Sequence, residues 1–176
     1  MGVVGNTSII LDVPDFVRTN GIKKRVSGLI SHVSSLSLHM AKKWLFAGFI
    51  FAALAVVIGA FAAHGLKQYL DSGKMDLQML QNFETGARYQ MYHAFALIIC
   101  GIIGKIYGEN KLLKIAGILF IVGIIFFSGS LYLLSTRDVI GLSNWKWLGP
   151  ITPLGGLCFI SGWILLAISA LKKSNQ

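Results

Sequence analysis

Four apolar runs separated by short polar stretches set the pattern of this chain. Residues 44–64 and 114–134 are almost free of charge, and at 1.5 Å rise per residue a helix of about 20 residues spans the roughly 30 Å hydrocarbon core of a bilayer. Residues 89–108 and 151–171 reach the same length once their tyrosine, tryptophan and glycine residues count as membrane residues. Between the first two runs, residues 68–83 open on the turn signal Asp71-Ser72-Gly73. They continue with Met75, Leu77, Met79, Leu80 and Phe83 among polar residues, the pattern of a short interfacial helix. The expected fold class is all-α: a polytopic membrane protein with four transmembrane helices in a small antiparallel bundle and a short interfacial helix between spans one and two.

Composition agrees with the pattern. The chain has 176 residues, 55% of them apolar and only 13% charged, with a mean hydropathy of +0.68, far from a soluble domain. The formal charge of +9 does not point to nucleic acid, because the basic residues sit in small groups beside apolar runs: Lys42-Lys43, Lys105 with Lys111 and Lys114, and Lys172-Lys173. That placement serves anchoring and orientation. Cys100 and Cys158 each lie inside an apolar run and carry no dithiol or metal spacing.

Residues 1–39 form a separate N-terminal extension, and residues 40–176 the membrane domain. In the extension, Val26, Leu29, Ile30, Val33 and Leu36 share one helical face among serines and basic residues. Three readings fit: an interfacial or irregular extension, a basic, serine-rich presequence, or a coding start placed upstream of Met40, which immediately precedes the lysine pair.

Small residues recur at positions that let helices approach closely in lipid. They are Gly48, Ala52 and Gly59 in the first span, Ser128, Gly129 and Ser130 in the third, and Gly155, Gly156 and Gly162 in the fourth. Trp163 reads as a packing residue, and Trp145 and Trp147 around Lys146 as an aromatic interface anchor.

The chemistry-bearing stretch is Glu84 to Gly104, where polar groups run without a turn into a hydrocarbon-compatible helix. Glu84 and Arg88 are four apart and share a face in the favourable order for an ion pair. Arg88 and Tyr92 extend that face, while Tyr89 and His93 form a second seam. His64 closes the first span at the level where helices meet headgroups. These six, His64, Glu84, Arg88, Tyr89, Tyr92 and His93, are the candidate polar cluster, read either as a paired interfacial network or as the lining of a functional cavity. Two histidines and one glutamate at unrelated spacing carry no coordination signature, and Ser128 and Ser130 have no nucleophile elbow. No catalytic, metal or cofactor-binding residue is assigned, and no cofactor is expected.

Four spans put both ends of the chain on one side. From Lys42 onward that side holds seven basic residues and the other five, which favours both ends inside.

The segments GAFAAHGLK (59–67), FETGARYQMYHAFAL (83–97), FSGSLYLL (127–134) and GPITPLGGLCFISGW (149–163) resemble the uncharacterised four-helix inner-membrane family, domain of unknown function 423, which includes bacterial proteins and the mitochondrial transmembrane protein 256. The resemblance runs from about Met40 to Leu171. It implies a four-span protein of the bacterial inner membrane, or alternatively of the mitochondrial inner membrane, and it brings no activity or catalytic residue with it. Three functional classes remain: a structural, assembly or partner-binding bundle, which the small-residue faces favour; a small transporter, channel or ligand-binding module built on the polar cluster; and a membrane enzyme using His64 or His93 with Glu84. Expected partners are membrane lipids and a second copy or larger membrane complex.

Overall fold

The computed structural model describes residues 15–108, 110–141, 144 and 148–172. The chain divides into two units, Met1–Leu36 and Ser37–Gln176. In the first, residues 15–36 are helical, and Val26 and Leu29 of the apolar stripe are exposed, as is Ile22 one turn earlier. The side chains of Ile30, Val33 and Leu36 lie outside the described residues, as do Trp145, Lys146 and Trp147.

The second unit holds four helices long and apolar enough to cross a membrane, His39–Asp71, Leu77–Tyr107, Lys111–Thr136 and Ile151–Leu171. The first is the end of α1 (Asp15–Phe61), one π-helical turn at Ala62–Leu66, and α2 (Lys67–Asp71). The second is α3 (Leu77–Tyr107), the third α4 (Lys111–Gly123), a π-turn at Ile124–Ser128 and α5 (Gly129–Thr136), and the fourth α6 (Ile151–Lys172). Residues 77–83, expected in an interfacial helix, are the first turns of α3. Asp76 fixes that boundary, since its carboxylate accepts from the Met79 amide at 2.7 Å and nothing breaks the helix before Gly108, whose φ of 79° only glycine adopts without strain. Asn110 caps α4 in the same way through the Leu113 amide at 2.9 Å.

Apolar burial gives helices little reason to associate in lipid, so close packing and interhelical hydrogen bonds must hold the bundle. Its main core joins Trp44, Leu97, Cys100, Leu113, Phe120, Phe159 and Leu166; a second cluster gathers Leu66, Met75, Leu80 and Phe83. Glycine makes the approach possible. A Cβ on Gly48 would stand 2.6 Å from Ile98 Cγ1, one on Gly162 2.7 Å from Phe120 Cε1, and one on Gly155 would run into the Phe127 backbone. Gly156 is in ordinary contact with the Phe127 ring at 3.9 Å, Ala52 is half-buried, and Ser128 and Ser130 are buried. Gly59 and Gly129 differ from the packing expectation: an added Cβ would meet no heavy atom within 4 Å. Gly129 is rotated about 100° from each inward-facing serine beside it. The buried line of the first span runs through Ala55, Ala62 and Leu66; Gly59, four residues after Ala55, is half-buried on the same side, but no neighbour comes within reach of an added Cβ.

Polar ties cross the bundle. Gln90, 3% exposed, donates to the Phe51 carbonyl at 2.9 Å and accepts from the Tyr132 hydroxyl at 2.9 Å, linking three spans. Ser130 and Thr152 share a 2.7 Å bond, and Asn110 donates to Ser169 at 2.8 Å.

Candidate functional site

The six residues of the candidate cluster do not meet at one point. Tyr89, Tyr92 and His93 come together: the Tyr89 ring lies 5.9 Å from that of Tyr92 and 6.1 Å from the His93 imidazole. Arg88 is exposed and donates to Thr85 Oγ1 at 3.0 Å; no Glu84–Arg88 ion pair occurs among the described residues. His64 is exposed in the π-turn and Glu84 half-buried. Among the described residues, no hydrogen bond, ion pair or ring contact joins either to the tyrosine–histidine group. The separation follows from the helix: Glu84 and His93 are nine residues apart, about 13 Å along the axis of α3.

What surrounds His93 comes from other spans. Its imidazole stacks on Phe159 of α6 with centroids 3.4 Å apart and planes 7° from parallel. Its Nδ1 lies 2.7 Å from the Tyr89 carbonyl, which can only accept, and Trp163 Nε1 donates to its Nε2 at 3.3 Å. Those partners select the neutral tautomer with the proton on Nδ1, because an imidazolium would set a second N–H against the indole N–H. Phe120 and Phe127 complete the aromatic wall, Phe120 edge-on to Trp163 at 5.2 Å and Phe127 4.7 Å from Tyr89. The π-turn at Ile124–Ser128 carries Phe127, and Gly155 lets α6 close on that residue's backbone.

This wall bounds a half-open cavity of about 510 Å³, lined by Tyr89, Tyr92, His93, Phe127, Gly156, Phe159, Ile160 and Trp163. Tyr92 is 55% exposed, Ile160 59% and Trp163 41%, so the cavity opens sideways from the bundle, and His93 sits near the middle of α3. The tyrosine hydroxyls of Tyr89 and Tyr92 make no hydrogen bond among the described residues. Chemically this is a ring-stacking cleft with phenols at its mouth and an imidazole whose two nitrogens are already engaged. Among the described residues no three His, Cys, Asp or Glu side chains are grouped to hold a metal.

Reading the sequence singled out Tyr89, Tyr92 and His93 and missed Phe127, Phe159 and Gln90; Trp163, taken as packing, also forms part of the cleft. Phe159 and Trp163 are four apart, as are Tyr89 and His93, and those matched i, i+4 pairs were the available signal. Gln90 was a lone amide within a largely apolar run, which in a membrane helix calls for a partner.

The profile of a family described as a protein of unknown function, DUF423, matches residues 58–156. A UPF0382 membrane protein of Staphylococcus aureus is 44% identical over 131 residues, covering 74% of this chain and 97% of the relative. The UPF0382 membrane protein YwdK of Bacillus subtilis is 40% identical over 131 residues, 74% of this chain and 98% of its own length, and one of Staphylococcus haemolyticus is 40% identical over the same share of this chain. No solved structure matches. With its four membrane-length helices and this likeness over nearly the whole of each relative, the chain belongs to the DUF423 family of uncharacterised membrane proteins.

Proposed function

We propose that this protein is a ligand-binding module of the bacterial cytoplasmic membrane, with both chain ends inside, whose aromatic cleft takes a flat, ring-bearing lipophile from the bilayer. The observation that carries the reading is the cavity of about 510 Å³ beside His93, walled by rings and open at the side. Aromatic faces favour offset-stacked or edge-on ring partners, and a mostly apolar concave site with a few polar groups is the usual form of a small-molecule site. The phenols of Tyr89 and Tyr92 can hydrogen-bond a polar substituent. Inside this reading Tyr89, Tyr92 and His93 are site residues, whereas His64, Glu84 and Arg88 belong to the membrane rim.

The test uses 6-bromo-2-naphthol, a flat lipophile that quenches tryptophan, titrated into the full-length protein in nanodiscs. Saturable quenching that disappears in Trp163→Phe, and an apparent Kd raised about tenfold or more in Gly156→Leu, is the expected outcome. Gly156→Leu fills the cleft without removing a hydrogen bond. Linear quenching identical in wild type and Gly156→Leu would reject the reading.

A second reading, a structural or assembly bundle, is favoured by the first span: 17% of its most apolar window is buried, against 44% for the second span. With Gly59 open on that helix, it offers a face to lipid, to another copy or to a larger membrane complex.

A further inference from the structure

At the end of the bundle where α3 begins and α5 ends lies a second cavity, of about 360 Å³, lined in part by Asp76, Gln78, Asn82, Ser135, Arg137 and Gly149. Its depth follows from its walls. Asp76 is the cap residue in front of α3, and Arg137 follows the last residue of α5, so the cavity lies where a lipid headgroup meets the protein rather than among acyl chains.

Two of its groups are unfinished. Ser135 is 2% exposed and its hydroxyl has no hydrogen-bond partner, and the Arg137 Nε is buried without one. A buried donor left unpaired carries a desolvation cost that its neighbours do not recover. Arg137 has a carboxylate nearby, Asp138 Oδ2 at 3.6 Å, but that separation balances charge without making a hydrogen bond. The Gln78 and Asn82 amides bond each other at 3.0 Å. Asp76 commits one carboxylate oxygen to the Met79 amide.

A partner that offers acceptor oxygens to both a hydroxyl and a guanidinium N–H would complete the two groups together, as a phosphate does. A simple anion fits poorly: among the described residues that line the cavity Asp76 and Arg137 balance one to one, Asp138 lies beside Arg137, and an added anion would leave an excess of negative charge. A headgroup whose phosphate sits on Ser135 and Arg137 while its ammonium faces Asp76 leaves the local charge unchanged. We infer that this cavity is a binding site for a phosphate–ammonium zwitterion of the phosphoethanolamine type, independent of the aromatic cleft. The shared chemistry, a phosphodiester beside an ammonium, can come from an intact aminophospholipid or from a free glycerophosphoethanolamine.

The experiment reconstitutes the full-length protein in nanodiscs of equimolar phosphatidylethanolamine and phosphatidylglycerol, extracts it into mild detergent and weighs retained lipid by native mass spectrometry. The expected result is selective retention of phosphatidylethanolamine, lowered about tenfold in Ser135→Ala and in Arg137→Gln. The serine variant deletes only an unpaired hydroxyl, so in lipid-free detergent its melting temperature should equal or exceed that of wild type, and a folding defect cannot produce the loss. Asp76→Asn is the discriminating variant: asparagine caps a helix as well as aspartate does, so it should keep a bound phospholipid while losing the preference for phosphatidylethanolamine. In a parallel arm, glycerophosphoethanolamine, a soluble diester with one phosphate charge and one ammonium like the lipid headgroup, is followed by phosphorus NMR. Binding there assigns the site to the headgroup alone, and silence there with lipid retained assigns it to the intact lipid; both keep the proposal. Equal retention in wild type, Ser135→Ala and Arg137→Gln would overturn it, because water would then be satisfying the two donors, and a preference for phosphatidylglycerol would overturn the zwitterion.

Discussion

At the scale of single residues the glycines separate into those the fold depends on and those it does not. Gly155 is in the first group, because any Cβ there meets the Phe127 backbone, and backbone cannot swing aside as a side-chain end can. Gly155→Ala should therefore destabilise the bundle by about 1–3 kcal/mol, the usual cost of overpacking. Gly129→Ala, with open space around it, should leave stability the same or raise it by up to about 1 kcal/mol through better helix propensity. Reversible unfolding in mixed micelles would measure both; equal losses would mean that the approach at Gly155 is not the constraint described. His93 shows the same dependence on surroundings. Its spacing from Tyr89 was readable, but its stacking on Phe159 and its bond from Trp163 were not, since those residues lie 66 and 70 positions further along the chain.

At the scale of the helices, the Gln90 clamp joins the first three spans. Phe51 contributes a backbone carbonyl, so no substitution at that position removes the acceptor, and the readable coupling is between Gln90 and Tyr132. Gln90→Leu should cost about 1–2 kcal/mol and Tyr132→Phe about half as much, with a coupling energy near 0.6 kcal/mol in the double-mutant cycle, as for other interhelical hydrogen bonds in membranes. Additive losses would show that the two side chains do not act as a pair. The four apolar runs were legible because hydrocarbon demands length and low charge, which are properties of one segment at a time. The boundary between 68–83 and the second span was harder to place, because an amphipathic turn leading into a span has the same pattern whether it bends away along the interface or continues straight.

At the scale of the whole molecule the basic residues lean toward one side, and the proposed topology makes a clear prediction. In a background lacking Cys100 and Cys158, a cysteine replacing Ser72 should react with a membrane-impermeant maleimide on intact cells. One replacing Lys111 should react only after permeabilisation. The reverse pattern would invert the orientation, and labelling of both on intact cells would refute the four-span reading itself. Cross-linking through Gly59→Cys tests the exposed first span in the same background: dimer formation on oxidation is expected if that face meets a second copy, and its absence would leave the face to lipid or to an unlike partner.

That this is a four-span membrane protein could be read without any structure, because a bilayer reads each segment's length and polarity locally and leaves few alternatives. The family was legible in the same way, through ordered segments spread over most of the chain, and so was the placing of Tyr89, Tyr92 and His93 on one helix at the right spacing. Spacing along α3 already sets Glu84 well away from His93, whereas it took the packed bundle to show His64 apart from them and Arg88 turned to Thr85. It was also the tertiary structure that brought Phe159 and Trp163 to the imidazole, made Gln90 a three-helix tie and left the Ser135 hydroxyl and the Arg137 Nε without hydrogen-bond partners beside a shared cavity. Each of those depends on how helices rotate and how deep they sit against one another, and in lipid that is set by where a glycine admits a neighbour's backbone or ring, a fact no single helix carries.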